Sequence, residues 1–231
     1  MTAVIVLGAL ALVAEMLMVM LPKGAHASIF SMPALAAIMI SPSWQTIAVI
    51  ASVKALVESV RRAEFEKAVF NIAQFALSFG IAAYVFTRYG GTPFFQLRSL
   101  SLSELTTVNG LPAFGAIVTL SASNSLLVSG AIAISSHSSL SAVWRANNIA
   151  TIAMEMVASP LIFLFAWAYV HFGPIAAVAL WIPILGIRQV QKANIELETT
   201  NVELLDLMVK SLEARDVYTS GHSRRVQNYS V

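Results

Sequence analysis

Apolar runs close to the ~20 residues that a bilayer-crossing helix needs recur along this chain, separated by short polar or turn-forming stretches. They fall at Ala3–Leu21, Ser28–Ile40, Trp44–Val57, Ala68–Thr87, Leu111–Ile134, Ile149–Tyr169 and Gly173–Ile187. The second, third and seventh are short. Pro42 marks a tight turn between the second and third, so either of those two is alternatively re-entrant. The pattern predicts an all-α fold, a polytopic membrane helical bundle of about seven spans, with six as the alternative count. No Lys or Arg precedes the first run, which fits a retained span better than a cleaved signal peptide.

Past Ile187 the periodicity changes. Ile187, Val190, Asn194, Leu197, Asn201, Leu204 and Met208 follow alternating three- and four-residue steps among Gln, Lys, Glu, Thr and Asp. That is the a/d spacing of a coiled coil, and asparagines at core positions fix the register of a parallel dimer at some cost in stability. Asn194 and Asn201 are the register candidates, and a homodimer through this coil is the expected assembly. A single amphipathic linker helix packed on a following domain is the alternative. The division expected is a membrane sensory or anchoring domain over 1–187, a signalling coil over 188–210 and the start of another domain over 211–231.

Composition sharpens the membrane reading. The chain is 58% hydrophobic and 11% charged, against about 25% charged in soluble domains, so the excess apolar surface must meet lipid. A formal charge of +2 gives no basis for a nucleic-acid partner. The absence of cysteine excludes disulfides and thiolate metal sites. With seven spans, one side collects Lys23, Arg61, Arg62, Lys67, Arg145, Arg188 and Lys192, and the other keeps Arg88 and Arg98. The bias places the N-terminus outside and the C-terminus in the cytoplasm. The outer connection Arg88–Gly110 is either a plain connector or holds a short interfacial helix capped by Ser101 or Ser103. The serine-rich run Ser135–Ser141 around His137 reads as a flexible loop.

Ionisable residues inside a membrane are costly and therefore informative. Glu15 and Glu155 each lie about six residues inside a predicted span end, roughly 9–10 Å from the cytoplasmic face at the helical rise. Lys54 reaches similar depth from the third span, and Asn71 and Gln74 share a face of the fourth at i, i+3. A polar cluster of Glu15, Lys54, Asn71, Gln74 and Glu155 is expected, with Lys54 the counter-ion of one glutamate and the other protonated or ligand-bound. Separate interhelical hydrogen bonds that glue the bundle are the alternative.

The last stretch runs S-L-E-A-R-D-V-Y-T-S-G-H-S-R-R-V. Through Leu212, Glu213, Arg215, Asp216, Tyr218, Thr219, Gly221, His222, Ser223, Arg225 and Val226 it resembles the opening of the HD-GYP family of metal-dependent cyclic di-GMP phosphodiesterases. The resemblance implies that His222 is the first metal ligand, a neutral imidazole suited to iron or manganese. Some family members carry a glutamate where this chain has Tyr218, which implies a pair of metals rather than more. Arg224 and Arg225 are candidates for substrate phosphates, or else helix-surface arginines. The chain has no His-Asp dipeptide and no Gly-Tyr-Pro, so these residues are expected to be the front of a larger enzyme, with the fragment alone inactive and holding no cofactor. Arg61, Arg62, Phe65, Val69, Phe70 and Asn71, opening into a span, also loosely resemble the MASE-type membrane regions that precede bacterial signalling domains.

The resulting expectation is a signalling protein of the bacterial inner membrane, whose parent hydrolyses cyclic di-GMP with a divalent metal pair. The alternatives are a transporter-like or purely anchoring bundle with a dimerisation tail, and a histidine-kinase front end. After His222 come Ser-Arg-Arg-Val-Gln-Asn, without the Glu and Thr-Pro that normally follow a kinase phosphoacceptor histidine.

Overall fold

The computed structural model describes residues 2–16, 19–20, 26–27 and 30–215. Among the described residues the fold is all-helical apart from one two-residue antiparallel pairing of Val19–Met20 with His26–Ala27. Among the described residues the helices are α1 Thr2–Met16, α2 Ser31–Ile40, α3 Trp44–Val60, α4 Phe65–Arg88, α5 Leu102–Ser135, α6 Leu140–Phe172 and α7 Pro174–Arg215. A 3-10 turn, Phe94–Leu97, lies between α4 and α5.

The first helix is shorter than the apolar run that encodes it. Val19 and Met20 pair with the returning strand, and a backbone committed to a ladder cannot also continue the helical i→i−4 series. Glu15 therefore sits in the last turn of α1, where the sequence pattern had put it six residues from the end of a span. Among the described residues, α4 and α5 are long and apolar enough to cross a membrane. Thr2–Met16, Ser31–Ile40 and the Pro160–Phe172 part of α6 are apolar but shorter. At about 1.5 Å per residue, the 10 residues of α2 reach about half of a ~30 Å hydrocarbon core.

Helix α2 is the centre of the core. Every residue from Pro33 to Ile40 is buried, as expected of a helix apolar on all sides. It lies against α1, α3, α4 and α6. Pro42 disfavours helical backbone at Ser41 and so ends it. Ser43 then caps α3, its hydroxyl accepting from the Thr46 N–H at 3.4 Å, while the Thr46 hydroxyl donates to the Ser41 carbonyl at 2.6 Å. Phe30 anchors the start of α2, with edge-on contacts to Phe75 and Phe79 of α4 at 5.2 and 6.0 Å between centroids.

Successive helices reverse direction, so the bundle has two ends. One carries the α3–α4 and α5–α6 turns. At the first of these Arg62 adopts φ 52° and the Ala63 N–H returns to the Glu58 carbonyl at 3.1 Å, a left-handed residue closing a helix C-terminus. At the second, Ser135–Ser141 is a tight turn rather than a flexible loop: α5 runs to Ser135, α6 begins at Leu140, and His137 takes φ 52°. The other end carries the connection from α4 to α5.

Helix α7 spans 42 residues from Pro174 without a break. Gly173, at φ 77°, closes α6, and Pro174 opens α7, where its missing N–H costs nothing. The 187/188 and 210/211 boundaries drawn from the sequence thus lie inside one continuous helix. Positions 201–211 are all exposed.

Candidate functional site

Three helix ends converge on a buried group of charges. Glu15 ends α1, Lys54 and Glu58 lie one turn apart near the end of α3, and Asn71 is in the second turn of α4. Glu15, Lys54 and Glu58 are 2%, 5% and 5% exposed. Lys54 Nζ donates to Glu15 Oε1 at 2.7 Å and lies 3.2 Å from Glu58 Oε1. Arg61 Nη2 donates to the backbone carbonyl of Glu15 at 2.6 Å, and its Nη1 lies 3.4 Å from Glu15 Oε1. Asn71 Nδ2 donates to Glu58 Oε1 at 3.0 Å. The ammonium of Lys54 also stands 4.5 Å from the centroid of Phe75, within cation–π range.

Two acidic and two basic side chains thus share one site, each acid facing a base. Burial forces this arrangement, because an unpaired charge out of water is strongly destabilising. Gln74 faces a different partner, donating to Asn124 Oδ1 of α5. Of the residues grouped on the sequence, Glu15, Lys54 and Asn71 meet in this cluster and Gln74 lies one turn further along α4. Glu155 belongs to α6, but its side chain lies outside the described ones. Glu58 and Arg61 were missed. Glu58 had a legible signal, since it is four residues after Lys54 and shares its helix face. Arg61 counted only as a loop charge, and nothing local shows that it folds back over Glu15.

The opposite end is built from side-chain ties to backbone. Asn109, fully buried in α5, accepts from the Thr92 N–H at 3.0 Å and donates to the Thr92 carbonyl at 2.7 Å. Gly91 allows the chain to leave α4, its N–H donating to the Phe86 carbonyl at 2.9 Å. A Cβ at that position would stand 2.6 Å from the same oxygen. Phe94 is buried edge-on against Phe163 of α6 at 5.1 Å. Ser101 caps α5 in a full capping box with Glu104, so the short interfacial helix expected here is the first turns of α5 itself. His171, in the last turn of α6, brings Nε2 within 3.1 Å of the Leu100 carbonyl. The connection is a fastened strap rather than a plain connector.

Of the coil candidates, Asn201 is exposed on α7, as are Leu197, Leu204 and Met208. The side chain of Asn194 lies outside those described. So do the residues carrying the catalytic resemblance, His222, Arg224 and Arg225 among them. Among the described residues no three His, Cys, Asp or Glu side chains group as a metal site. Compared with known proteins, the chain matches no family model, and no curated protein or solved structure is significantly similar to it.

Proposed function

We propose that this chain is the membrane-embedded input and anchoring region of a signalling protein whose output domain is an HD-GYP-type phosphodiesterase acting on cyclic di-GMP. The observation that carries the reading is α7. It starts at Pro174, packs into the core through Ala177 and Trp181, and runs on as one helix to Arg215, into the stretch with the HD-GYP-like opening. A continuous helix transmits a shift or rotation made at one end to whatever is attached at the other.

The membrane part of the reading rests on what the helices expose. Leu77 and Tyr84 of α4, and Leu111, Phe114, Leu126 and Ile134 of α5, are all exposed. A soluble bundle would turn charged side chains outward at such positions, and apolar patches on this scale mark a surface made for lipid or a partner. The reading places about seven helices in the bacterial inner membrane, with the C-terminus in the cytoplasm. The exposed Leu197, Leu204 and Met208 are the seam along which a second copy forms the parallel coil, with Asn194 and Asn201 setting its register. The buried ion cluster acts as a structural tie, because each of its acids already has a basic partner in the bundle and neither needs a ligand to balance it.

In the parent, His222 contributes one ligand to an iron or manganese pair, and Arg224 and Arg225 stand near the phosphates. Such a pair polarises a phosphoryl oxygen and acidifies bound water. The test is hydrolysis of cyclic di-GMP by the full open reading frame in nanodiscs with added iron or manganese, beside His222→Ala. Metal-dependent turnover that the substitution abolishes is the expected result. An open reading frame that ends at Val231, or turnover unchanged in the variant, overturns the reading.

A further inference from the structure

Helix α7 carries a second line of apolar residues beside the one assigned to the coil. On the first line Leu197, Asn201, Leu204 and Met208 follow alternating four- and three-residue steps. Val202, Leu205 and Val209 stand one position beyond Asn201, Leu204 and Met208, and Leu212 continues their spacing. Val202, Leu205 and Val209 are exposed, as are Leu204 and Met208. Polar side chains keep to the other side of the helix: Glu203, Asp206 and Lys210 are exposed, and Lys210 pairs with Asp206 within that face. At about 100° per residue the two apolar lines together cover roughly 180° of the helix surface. That is well beyond the narrow stripe of a two-stranded seam.

The residue types say what the second line fits. β-Branched residues at a positions with leucine at d positions favour a parallel two-stranded coil, and Val202, Leu205, Val209 and Leu212 read a, d, a, d. Two copies anchored in one membrane send α7 out of the same face, so their helices run parallel and equal positions meet. The first line instead puts Asn201 in the core, at a cost in stability. The lines also favour different ends. Toward the bundle, Ile187, Val190 and Leu197 continue the first line, whereas Arg188, Gln191 and Glu198 fall on the second. Toward Arg215 the first line turns polar at Ser211, and the second runs on through Leu212.

We propose that Val202, Leu205 and Val209 form a second dimerisation seam for another copy of this chain, used in alternation with the first. A pair of helices buries one line at a time, because a heptad core admits one register. Over residues 201–209, where both lines are complete, the coil therefore has two registers. Passing from one to the other turns each helix about its axis by about 100°, and with it whatever follows Arg215. The inference rests on the dimeric coil of the proposed function and gives that coil two states.

The chain has no cysteine, so single introduced cysteines report which line is buried. Leu204 is a core position in the first register and an outer one in the second, Val209 is the reverse, and Glu203 lies outside both cores. The full chain is reconstituted in liposomes at low density and oxidised. Leu204→Cys and Val209→Cys should each give roughly fivefold more cross-linked dimer than Glu203→Cys, since a disulfide needs Cα atoms within about 7 Å. Adding Val202→Glu should remove the Val209→Cys product and leave that of Leu204→Cys. Adding Asn201→Leu, which lifts the polar cost of the first register, should shift yield the same way. Cross-linking at only one of the two positions overturns the alternation. The double variant Leu204→Cys, Val209→Cys should stop at dimers; a ladder of larger products means that both lines are buried at once, and overturns it as well. If neither position exceeds Glu203→Cys, the dimeric coil of the proposed function fails and the second seam falls with it.

Discussion

At the end of the bundle with the α3–α4 turn, the ties run between charged side chains: Lys54 to Glu15 at 2.7 Å, Lys54 to Glu58 at 3.2 Å, and Arg61 over the end of α1. At the other end they run from side chains to backbone, Asn109 to Thr92 and His171 to Leu100. The first arrangement joins three helices at their termini; the second fastens a connecting segment to the helices it crosses. Charge–charge ties in a buried site are all-or-none, because removing one member strands the others without water. Ties to backbone fail one at a time. The ion-paired end thus joins helices to one another, and the strapped end holds a connecting segment onto them.

The largest effect should come from Lys54→Met, which removes the ammonium that both Glu15 and Glu58 face. A loss of about 3–5 kcal/mol is expected, as when one partner of a buried pair is removed, seen as a large drop in thermal stability of the detergent-solubilised protein. Adding Glu15→Gln to Lys54→Met should recover part of it. A Lys54→Met protein as stable as the wild type would erase the distinction between the two ends.

Asn109→Ala should cost less, about 1–3 kcal/mol, for leaving both backbone groups of Thr92 unpaired. Its signature is local: faster amide exchange over residues 92–101, with exchange around Glu58 unchanged. Spread of the effect to both ends would mean that the strap and the ion cluster form one cooperative unit.

Lys67→Ala supplies the control. Lys67 pairs with Glu64 at 2.9 Å on the same end as the cluster, but the two side chains are 72% and 76% exposed. A surface pair of this kind is worth less than about 0.5 kcal/mol, so thermal stability should barely move. A shift as large as that of Lys54→Met would show that lysine charge, rather than burial, holds this end.

Much of the helix layout is legible in the chain. The apolar runs locate α2 through α6, and Ser41-Pro42-Ser43 punctuates α2 and α3 because proline and a capping serine act on their immediate neighbours. The continuity of α7 past Ile187 is legible too, since no glycine or proline interrupts the sequence from Ile187 to Arg215. Depth counting brought Glu15 and Lys54 to one level, and they lie in contact.

What the chain alone did not reveal depends on contacts between distant segments. Arg61 lies past the end of the apolar run and looks like a loop charge until it folds back over the end of α1. Asn109 looks like one more polar residue ahead of a span until Thr92, 17 positions earlier, meets it. His171 and Leu100 are 71 residues apart. Local pattern determined where helices form and which faces are apolar, because those follow from propensity, caps and periodicity within a few turns. Tertiary structure decided which polar groups are buried and what satisfies them, because the cost of burying a charge or a carbonyl is set by whichever segment arrives beside it.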